Sequence, residues 1–318
     1  MRVVRACVVA LVTCAAMLVA PGAAQADFAP PETWADGPYY GNRVPFGAFA
    51  DVTGDGLADA IVVNTSGLTV RRSTGWSFGA NESFTTNPYY GSRGTYFADV
   101  DGDGRADAIV VNDGGVTVRR STGVAFGPNE SWTTNAYYGN HAPFQAFTDV
   151  TGDGRADAIV VNHAGITVRR STGTAFGANE TWTAGPYYGT RETIFADVTG
   201  DGRADAIVFN DSSVTVRRST GTAFAPNEQW TVDPFTGYHS THVADVTGDG
   251  LADAVVVDQA GITVRRSTGT SFGGHETWTW EPFNGTYPPY EAFADVTGDG
   301  AADAIAVNAT GIAIRRAV

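Results

Sequence analysis

The chain has 318 residues, 39 of them glycine, and a formal net charge of −14 that arises from 34 acidic and 20 basic residues. All 20 basic residues are arginine. An acid excess of this size argues against a nucleic-acid-binding surface and against a partner on an anionic membrane. The length is sufficient for one large buried core.

Residues 1–26 are predicted to be a secretory signal peptide. Two early arginines precede an apolar run, and an Ala-Gln-Ala cleavage site ends the segment. The run is shorter than the roughly 20 residues that a membrane-spanning helix needs, so we expect no membrane insertion. Thr13 before Cys14 fits a lipoprotein signal poorly. Both cysteines, Cys7 and Cys14, lie in this segment, so the mature protein is expected to be secreted and free of disulfides.

Residues 27–318 are predicted to form a single domain of internal repeats. An acidic motif recurs at intervals of 48 or 50 residues, and its six copies begin at Asp51, Asp99, Asp149, Asp197, Asp245 and Asp295. In the second repeat, segments 95–98, 108–112, 116–121 and 129–134 are predicted strands of up to about six residues, separated by Gly, Asn and Asp turns. Four-stranded antiparallel units at this spacing are typical of β-propeller blades.

The two ends of the repeat array predict how the ring closes. Residues 31–36 match the fourth strand of a blade, whereas residues 312–317 match a third strand that no fourth strand follows. We therefore predict an all-β, six-bladed β-propeller of four-stranded antiparallel blades. An N-terminal strand, residues 31–36, would close the ring by completing the blade formed by residues 292–316. An open solenoid would instead need capping units.

The acidic motif predicts a Ca²⁺ site in each blade. In the first copy, carboxylates at positions 1, 5 and 9 (Asp51, Asp55 and Asp59) surround a glycine at position 6. Ca²⁺ takes six to eight oxygen ligands, and glycine permits the sharp turn of such a loop. The carbonyl of Leu57 and the hydroxyl of Thr53 are further candidate ligands. The motif is not an EF-hand, because position 12 is not glutamate and a strand follows.

The same five positions recur in the other loops, which gives about six candidate Ca²⁺ sites. The corresponding residues are Asp99, Asp101, Asp103, Arg105, Asp107, Asp149, Thr151, Asp153, Arg155, Asp157, Asp197, Thr199, Asp201, Arg203, Asp205, Asp245, Thr247, Asp249, Leu251, Asp253, Asp295, Thr297, Asp299, Ala301 and Asp303. The second loop has Asp101 where the others have threonine, so we expect it to be the most anionic. A metal-free hairpin turn would explain the glycine but not the repeated carboxylates.

These residues resemble a known family of repeats. The segment Phe97–Val111, followed by Gly115-Val-Thr-Val118 and Gly123-Val-Ala-Phe126, is similar to the FG-GAP/VCBS-type repeat. The resemblance implies β-propeller blades with Ca²⁺ in the hairpin between the first and second strands. The family includes integrin α-chain propellers and fungal propeller lectins. Threonine at loop position 3 in five copies departs from the usual Asn or Asp.

Two further features recur in every repeat. Arginine pairs, such as Arg71-Arg72, lie on the third strand, where one member is expected to pair with the glutamate of the fourth strand, such as Glu82. The linkers between repeats contain the sequences Pro-Tyr-Tyr-Gly, Ala-Tyr-Tyr-Gly or a variant. Their second tyrosines and nearby residues are candidate ligand contacts or, alternatively, junction packing. These residues are Tyr40, Arg43, Tyr90, Arg93, Tyr138, His141, Tyr188 and Arg191.

The sequence contains no recognisable catalytic constellation. Gly-x-Ser-x-Gly and His-Glu-x-x-His motifs are absent, and there is no lysine. His239 and His242 are candidate ligand-binding or acid–base residues, although they lie in a variable linker. We therefore expect a binding module and not an enzyme.

The combined features predict a secreted, calcium-stabilised propeller that recognises a glycan on a cell surface or in the extracellular space. One alternative is an interaction subunit that binds a secreted or cell-surface protein. Another is a polysaccharide lyase or hydrolase with its site in the central channel. Fold and metal do not by themselves decide between these functions.

Overall fold

The computed structural model describes residues 27–318, which form 24 strands. The predicted signal peptide, residues 1–26, lies outside the described residues. The strands are β1 (Glu32–Asp36), β2 (Gly47–Ala50), β3 (Asp59–Asn64), β4 (Gly67–Arg71), β5 (Glu82–Ser83), β6 (Gly94–Ala98), β7 (Asp107–Asn112), β8 (Gly115–Arg119), β9 (Glu130–Ser131), β10 (Gln145–Thr148), β11 (Asp157–Asn162), β12 (Gly165–Arg169), β13 (Glu180–Thr181), β14 (Glu192–Ala196), β15 (Asp205–Phe209), β16 (Val214–Arg217), β17 (Glu228–Gln229), β18 (Ser240–Ala244), β19 (Asp253–Asp258), β20 (Gly261–Arg265), β21 (Glu276–Thr277), β22 (Glu291–Ala294), β23 (Asp303–Asn308) and β24 (Gly311–Arg315).

The strands form six antiparallel sheets of four strands each, as the repeat spacing predicts. Blades 1 to 5 take consecutive strands: β2–β5, β6–β9, β10–β13, β14–β17 and β18–β21. Blade 6 joins β22, β23 and β24 to β1. The first strands of neighbouring blades contact each other around the whole ring, including blade 6 with blade 1. The six-bladed, all-β prediction is confirmed.

The N-terminal strand closes the ring in the predicted place. Strand β1 runs antiparallel to β24, with Glu32 opposite Ile314 and Asp36 opposite Gly311. A bulge between Thr33 and Ala35 interrupts the register. The predicted fourth strand of the last blade is therefore supplied by the other end of the chain, so that no third-strand edge is left unpaired in that blade.

The core lies between the blades. Second strands such as β3 and β7 have five consecutive buried residues, because a neighbouring blade or an adjoining strand covers both of their faces. Ile61, Leu68 and Val70 of blade 1, for example, pack in one cluster with Ala108 and Val110 of blade 2. Burial of both faces explains why these strands read as continuous apolar runs.

The fourth strands of blades 1 to 5 have two residues each, so the prediction of about six residues is wrong for them, whereas the closing strand β1 has five. Strand β5 has two residues, after which the amides of Phe84 and Thr85 both donate to the carbonyl of Leu68, at 3.0 and 3.2 Å. The Thr85 hydroxyl accepts the Leu68 amide at 2.8 Å. A side chain thus replaces the regular ladder. Gly67 is required opposite this point, because a Cβ there would lie 2.2 Å from the Thr85 carbonyl oxygen.

Candidate functional site

The first carboxylate of each acidic loop holds the loop backbone. In blade 1, Asp51 Oδ1 accepts the Gly54 amide at 2.6 Å, and Oδ2 accepts the Gly56 amide at 2.8 Å. Both glycines have positive φ, 81° and 85°, a conformation that residues with a Cβ rarely adopt. The repeated glycine at position 6 therefore serves the turn itself, as the sequence predicts.

The carboxylate at position 9 is fully buried in all six blades. Asp59 Oδ2 accepts the Val52 amide at 3.1 Å, and Oδ1 accepts the Ser73 amide at 3.0 Å. The side chain therefore ties the loop to the end of β4, a structural role that the motif alone does not reveal.

Burial raises the pKa of these position-9 carboxyl groups, because desolvation penalises the charged form. The pKa is about 6 for Asp59, Asp157, Asp205 and Asp303, and about 7 for Asp107 and Asp253. In blade 4, Asp205 Oδ2 is buried and has no hydrogen-bond partner among the described residues. Each loop thus holds a buried carboxylate, and within residues 27–318 no arginine or histidine forms an ion pair with any of the six.

Blade 2 has the donor set that fits a cation best. Carboxylate oxygens of Asp99, Asp101 and Asp107 lie within 4.8 Å of one another, the one such cluster of acidic or histidine side chains in residues 27–318. Asp101 makes the difference, since the other loops have threonine there. Thr53, for example, directs its hydroxyl to Asp51 Oδ1 at 3.3 Å. Three hard oxygen ligands suit Ca²⁺, so the residues of blade 2 fit the ion that the repeat implies.

The position-5 carboxylate is already paired in three loops. Arg105, Arg155 and Arg203 at position 7 form ion pairs with Asp103, Asp153 and Asp201 of their own loops. Blades 5, 6 and 1 have Leu251, Ala301 and Leu57 at this position. The position-5 carboxylates of blades 2 to 4 therefore already have a positive partner. In those three blades the arginine is also the position-7 residue whose backbone carbonyl is a predicted Ca²⁺ ligand.

The acidic loops also connect neighbouring blades. The Ala106 amide of blade 2 donates to the Asp51 carbonyl of blade 1 at 2.6 Å, and equivalent bonds link all six junctions. The Arg105 side chain packs on Gly54 of the preceding loop, where a Cβ would lie 2.8 Å from Arg105 Cγ. The loops thus form a continuous hydrogen-bonded ring on one face of the propeller.

The linkers lie on the opposite face, with the turns between second and third strands. We call this surface, formed mainly by residues 37–46, 87–94, 135–144, 185–192, 233–240 and 281–290, the linker face. Asn42 Oδ1 accepts the Thr65 amide of one such turn at 2.9 Å. The first aromatic residue of each linker, a tyrosine in four and a phenylalanine in two, is buried, and the Tyr39 hydroxyl donates to the Ala60 carbonyl at 3.1 Å. First tyrosines are therefore core residues.

The second tyrosines are each covered by a side chain of the preceding blade. The guanidinium carbons of Arg43 and Arg93 lie 4.8 and 4.3 Å from the ring centroids of Tyr90 and Tyr138. The His141 ring stacks on Tyr188 with centroids 3.5 Å apart.

At the junction of blades 6 and 1, the Tyr287 ring stacks on Tyr40 at 4.0 Å. Sequence reasoning missed Tyr287, although it occupies the repeat position of Arg43.

The pattern stops at the other two junctions. At the junction of blades 4 and 5, Thr236 replaces the second tyrosine, so Arg191 has no tyrosine ring to cover. Its Nε pairs with Asp211 at 2.5 Å. At the junction of blades 5 and 6, Asn284 replaces the second tyrosine, and His239 occupies the position of the covering residue. The His239 ring instead contacts the exposed Tyr238, with centroids 5.0 Å apart. Four consecutive junctions, from blade 6 through blade 4, therefore share one stacked arrangement.

Two cavities flank these stacked pairs. One of about 470 Å³ lies between blades 1 and 2, beside Arg43, Tyr90 and Asn42. The next, of about 440 Å³, lies between blades 2 and 3, beside Arg93, Tyr138 and Asn140. The stacked arginine and tyrosine thus border a cavity at both junctions. The amide and the phenylalanine come from the preceding blade at the first junction (Asn42 and Phe46) and from the following blade at the second (Asn140 and Phe144).

Aromatic residues in an unusual backbone conformation border these cavities. Phe46, Phe144 and Tyr290 have φ values of 72°, 65° and 64°, in the left-handed region that bulky residues rarely adopt. Phe46 lines the first cavity and Phe144 the second, and Phe144 and Tyr290 are 51% and 49% exposed. Such strain is commonly found at functional sites. The Pro-aromatic pairs at these positions were the available sequence signal.

The arginine pairs divide their roles. The second arginine of each pair forms an ion pair with the glutamate of its own blade, as in Arg72–Glu82 at 2.9 Å. In blade 6 the partner of Arg316 is Glu32 of the closing strand. The first arginine lies instead over the buried aromatic residue of the linker, with Arg71 Cζ 4.4 Å from the Tyr39 ring centroid.

The two linker histidines have different surroundings. His242 lies on β18, where its ring is 4.9 Å from Phe293 of blade 6, and its Nε2 is buried without a hydrogen-bond partner among the described residues. Burial lowers the pKa of His242 to about 4. Glu291 of blade 6, near His239, has a pKa that burial raises. His242 is therefore a packing residue at the junction of blades 5 and 6.

His242 is expected to make the protein less stable in mild acid. Its folded pKa lies below the unfolded value of 6.5, so the unfolded chain takes up the proton first as the pH falls. Stability present above pH 6.5 is lost as the pH falls towards 4, by about 2 kcal/mol at pH 5. The position-9 carboxyl groups, whose pKa values are raised, act in the opposite sense over the same range, so urea unfolding at pH 7 and pH 5 has to compare the wild type with a variant that lacks the histidine.

The matched variant is His242→Ile, since Ile194 occupies the equivalent position in blade 4. Between pH 7 and pH 5 the stability of the variant should change more favourably than that of the wild type, by about 2 kcal/mol. Glu291 and the six buried position-9 aspartates are retained in both proteins, and their raised pKa values act in the opposite sense, so the difference between the two proteins isolates the histidine. Equal changes would contradict the assignment.

Comparisons with known proteins agree with this architecture. A model of FG-GAP-like repeats matches residues 51–110, 149–208 and 197–256, more than half of the chain. No curated protein matches the sequence significantly. Among the described residues, none forms a helix with the length and apolar character of a membrane span.

Solved structures share the fold. One is a lectin of Agrocybe aegerita that recognises non-reducing terminal N-acetylglucosamine, with 25% identity, a TM-score of 0.61, and coverage of 81% of this chain and 73% of the lectin. Another is the Tc holotoxin pore of Photorhabdus luminescens, with 16% identity, a TM-score of 0.63, and coverage of 91% of this chain but 15% of the toxin chain. The chain described here belongs to the family of FG-GAP-like repeat β-propellers.

Proposed function

We propose that this protein is a secreted, calcium-stabilised recognition module that binds glycans at the blade junctions of its linker face. The observation that carries the proposal is the repetition of one arrangement at consecutive junctions. A guanidinium lies on a tyrosine ring, and both border a cavity that also contains an amide side chain. Aromatic faces with a few fixed polar groups are typical of small-ligand sites.

The chemistry of these junctions suits a sugar ring. The apolar face of a pyranose packs on aromatic carbons, while hydroxyl groups need donors and acceptors such as Arg93 and Asn140. Each site is shallow, so a single sugar should bind weakly. Repetition around the ring would then add avidity towards a surface that carries many copies of the glycan.

The similarity to the Agrocybe aegerita lectin supports the same proposal and names a first ligand to test, terminal N-acetylglucosamine. A catalytic role is not proposed. His242, one of the two candidate acid–base residues, is largely buried against Phe293, and its low pKa is poorly matched to proton transfer near neutral pH.

A double variant that removes two stacked tyrosines tests the proposal. Tyr90→Ala with Tyr138→Ala should weaken binding to a surface coated with N-acetylglucosamine by about ten-fold or more, since aromatic contacts are lost at two of four equivalent junctions. Binding would be measured on a glycan array and by surface plasmon resonance, in the presence of Ca²⁺.

Arg191→Ala is the matched control, because Arg191 lies at a junction without a stacked tyrosine. This variant should bind within about two-fold of the wild type. A wild-type protein that binds no glycan but captures a single secreted protein would support the interaction-subunit alternative instead. Unchanged binding by the double variant would place the site elsewhere on the propeller.

A further inference from the structure

The first arginine of each third-strand pair occupies the same place in all six blades. Its guanidinium lies over the buried aromatic ring of the incoming linker, at 4.3 Å in blades 2, 3 and 4 and at 5.2 Å or less in the others. What differs from blade to blade is the group that accepts its hydrogen bonds. Six copies of one cation can therefore be compared within one molecule.

In blades 5 and 6 the protein itself supplies a carboxylate. Arg265 pairs with Asp233, and Arg315 Nη2 lies 3.2 Å from Glu281 Oε2. Asp233 and Glu281 occupy the same position, two residues before the buried linker phenylalanine. Both arginines are almost fully buried as a result, at 5% and 6% exposure.

In blades 1, 2 and 3 amide side chains accept instead. Arg71 Nε donates to Asn81 at 2.6 Å, and Arg169 Nε donates to Asn179 at 2.9 Å. In blade 2, Arg119 Nη1 donates to Asn87 at 3.2 Å. Each of these five guanidinium groups is thus held by at least one side-chain oxygen.

Blade 4 is the exception. Gly185 occupies the position of Asp233, as Gly37 does in blade 1, and a Cβ at Gly185 would meet no atom within 4 Å. In blade 1 Asn81 accepts from the arginine, but the equivalent Asn227 does not.

The Arg217 side chain has no hydrogen bond or ion pair to any residue in the range 27–318, and its Nε is buried without a partner. The Nε atoms of Arg119, Arg265 and Arg315 are also buried without a partner, but each of those guanidinium groups is held through another of its nitrogens. Its contact is with the Tyr187 ring, at 4.3 Å. A buried, unpartnered guanidinium nitrogen is costly unless something else pairs with it.

A groove of about 350 Å³ opens beside this guanidinium. Besides Arg217 it is lined by Tyr187, Tyr188, Asn210, Thr215 and Asn227. The aromatic, amide and hydroxyl groups offer both an apolar face and hydrogen-bond partners around one fixed positive charge.

We propose that the groove at Arg217 binds the carboxylate of an acidic sugar, such as a uronic acid residue of a glycan. Blades 5 and 6 show which group suits this arginine, since a carboxylate of the protein pairs with the equivalent arginine in both. Arginine binds carboxylates in a charge-assisted and often bidentate manner. Asn210, Thr215 and Asn227 are placed to meet the hydroxyl groups of the sugar. This inference rests on the proposed glycan-binding function and adds an acid-selective site to it.

The test uses D-glucuronate with D-glucose as the neutral match, and titrates each into the full mature chain while NMR or calorimetry follows binding. Glucuronate should bind about ten-fold more tightly than glucose, because only the acid can pair with the guanidinium. Gly185→Asp should abolish this preference, since it places a carboxylate where blade 5 carries Asp233. Arg217→Gln should abolish it as well.

Ala184→Asp is the control for charge alone. It adds the same carboxylate at the neighbouring exposed position, where aspartate, threonine, valine or tryptophan stand in other linkers. This variant should keep the preference for glucuronate.

Three results would overturn the inference. They are equal affinity for glucuronate and glucose, an undiminished preference in folded Gly185→Asp protein, and inorganic sulfate that competes as well as glucuronate. These results are distinct from those that would contradict the proposed glycan-binding function. A protein that binds N-acetylglucosamine surfaces through Tyr90 and Tyr138 but ignores glucuronate would lose only the acid-selective site.

Discussion

Removal of residues 27–36 is expected to abolish cooperative folding of the propeller. Trp34 is 3% exposed and packs on Phe78 of blade 1 with ring centroids 5.7 Å apart, while Phe28 packs on Trp278 of blade 5 at 5.0 Å. Truncation of a buried Phe or Trp side chain costs about 3–5 kcal/mol. Two such losses approach the roughly 5–15 kcal/mol that stabilise a whole domain.

The deletion also leaves β24 as an unpaired edge. Ile312 and Ile314, both fully buried, would lose their cover, and Arg316 would lose its pairing with Glu32. We therefore expect a broad thermal transition at a Tm at least about 15 °C lower, or aggregation through the exposed edge. Differential scanning calorimetry with light scattering would measure both.

The single substitution Trp34→Phe is the control for this deletion. Phe84 occupies the equivalent place in blade 1, so the variant should fold with a modest loss of stability. A truncated chain that unfolds as sharply as the wild type, at a similar Tm, would show that the ring does not depend on its N-terminal strand.

The repeat pattern predicts the fold well because the same residues return in every blade. The spacing of the six acidic motifs gives the blade count, and the similarity of residues 31–36 to a fourth strand gives the closure. The length of the fourth strand was not predictable in the same way. It depends on the Thr85 hydroxyl, which takes the place of a ladder hydrogen bond.

The site is less predictable because its contacts join different repeats. The sequence marks Tyr188 and His141 as candidates, but their stacking depends on how blade 3 lies against blade 4. The sequence does contain one unused signal. Aligned repeats place Gly185 at the position of Asp233, so Arg217 lacks the acidic partner of blade 5. Gly37 stands there in blade 1, however, where Asn81 accepts from Arg71, so the sequence does not show that the equivalent Asn227 leaves Arg217 without a hydrogen bond.

The acidic loops show the same limit. Their spacing predicts the same set of Ca²⁺ ligands in all six blades. The structure distinguishes them, because Asp101 completes a cluster in blade 2 and because Arg155 pairs with Asp153 in blade 3. Side-chain pairs of this kind are separated by two residues and compete with a metal for the same oxygens.

Removal of Ca²⁺ is expected to lower the thermal stability of the protein, and added Ca²⁺ to restore it. Asp99, Asp101 and Asp107 bring three carboxylates together with one of them fully buried, and among the described residues only Arg120 forms an ion pair with them, at 3.6 Å from Asp101. One arginine does not balance three carboxylates, so the cluster favours a bound cation. Burial also raises the pKa of Asp101, with Asp103 adding to the shift.

The size of the effect follows from mass action. One site at a free Ca²⁺ concentration of 100 times its Kd adds about 2.7 kcal/mol. A domain of this size gains roughly 2–4 °C in Tm for each kcal/mol. We therefore expect chelation with EDTA to lower Tm by at least about 5 °C, and further if more than one loop binds. Scanning calorimetry at matched ionic strength would measure the shift.

Asp101→Thr isolates blade 2, because threonine stands at this position in the other five loops and is compatible with the turn. In EDTA the variant should be as stable as the wild type or more stable, since one of the repelling carboxylates is gone. In Ca²⁺ it should gain less, and calorimetric titration should find one tight site fewer. Asp36→Asn, which removes a charge from an exposed position, should leave the Ca²⁺ response intact. If EDTA does not change Tm, the proposal that Ca²⁺ stabilises the protein is wrong. A full Ca²⁺ response in Asp101→Thr would instead move the dominant site to another loop, because the cluster in blade 2 would then contribute nothing to binding.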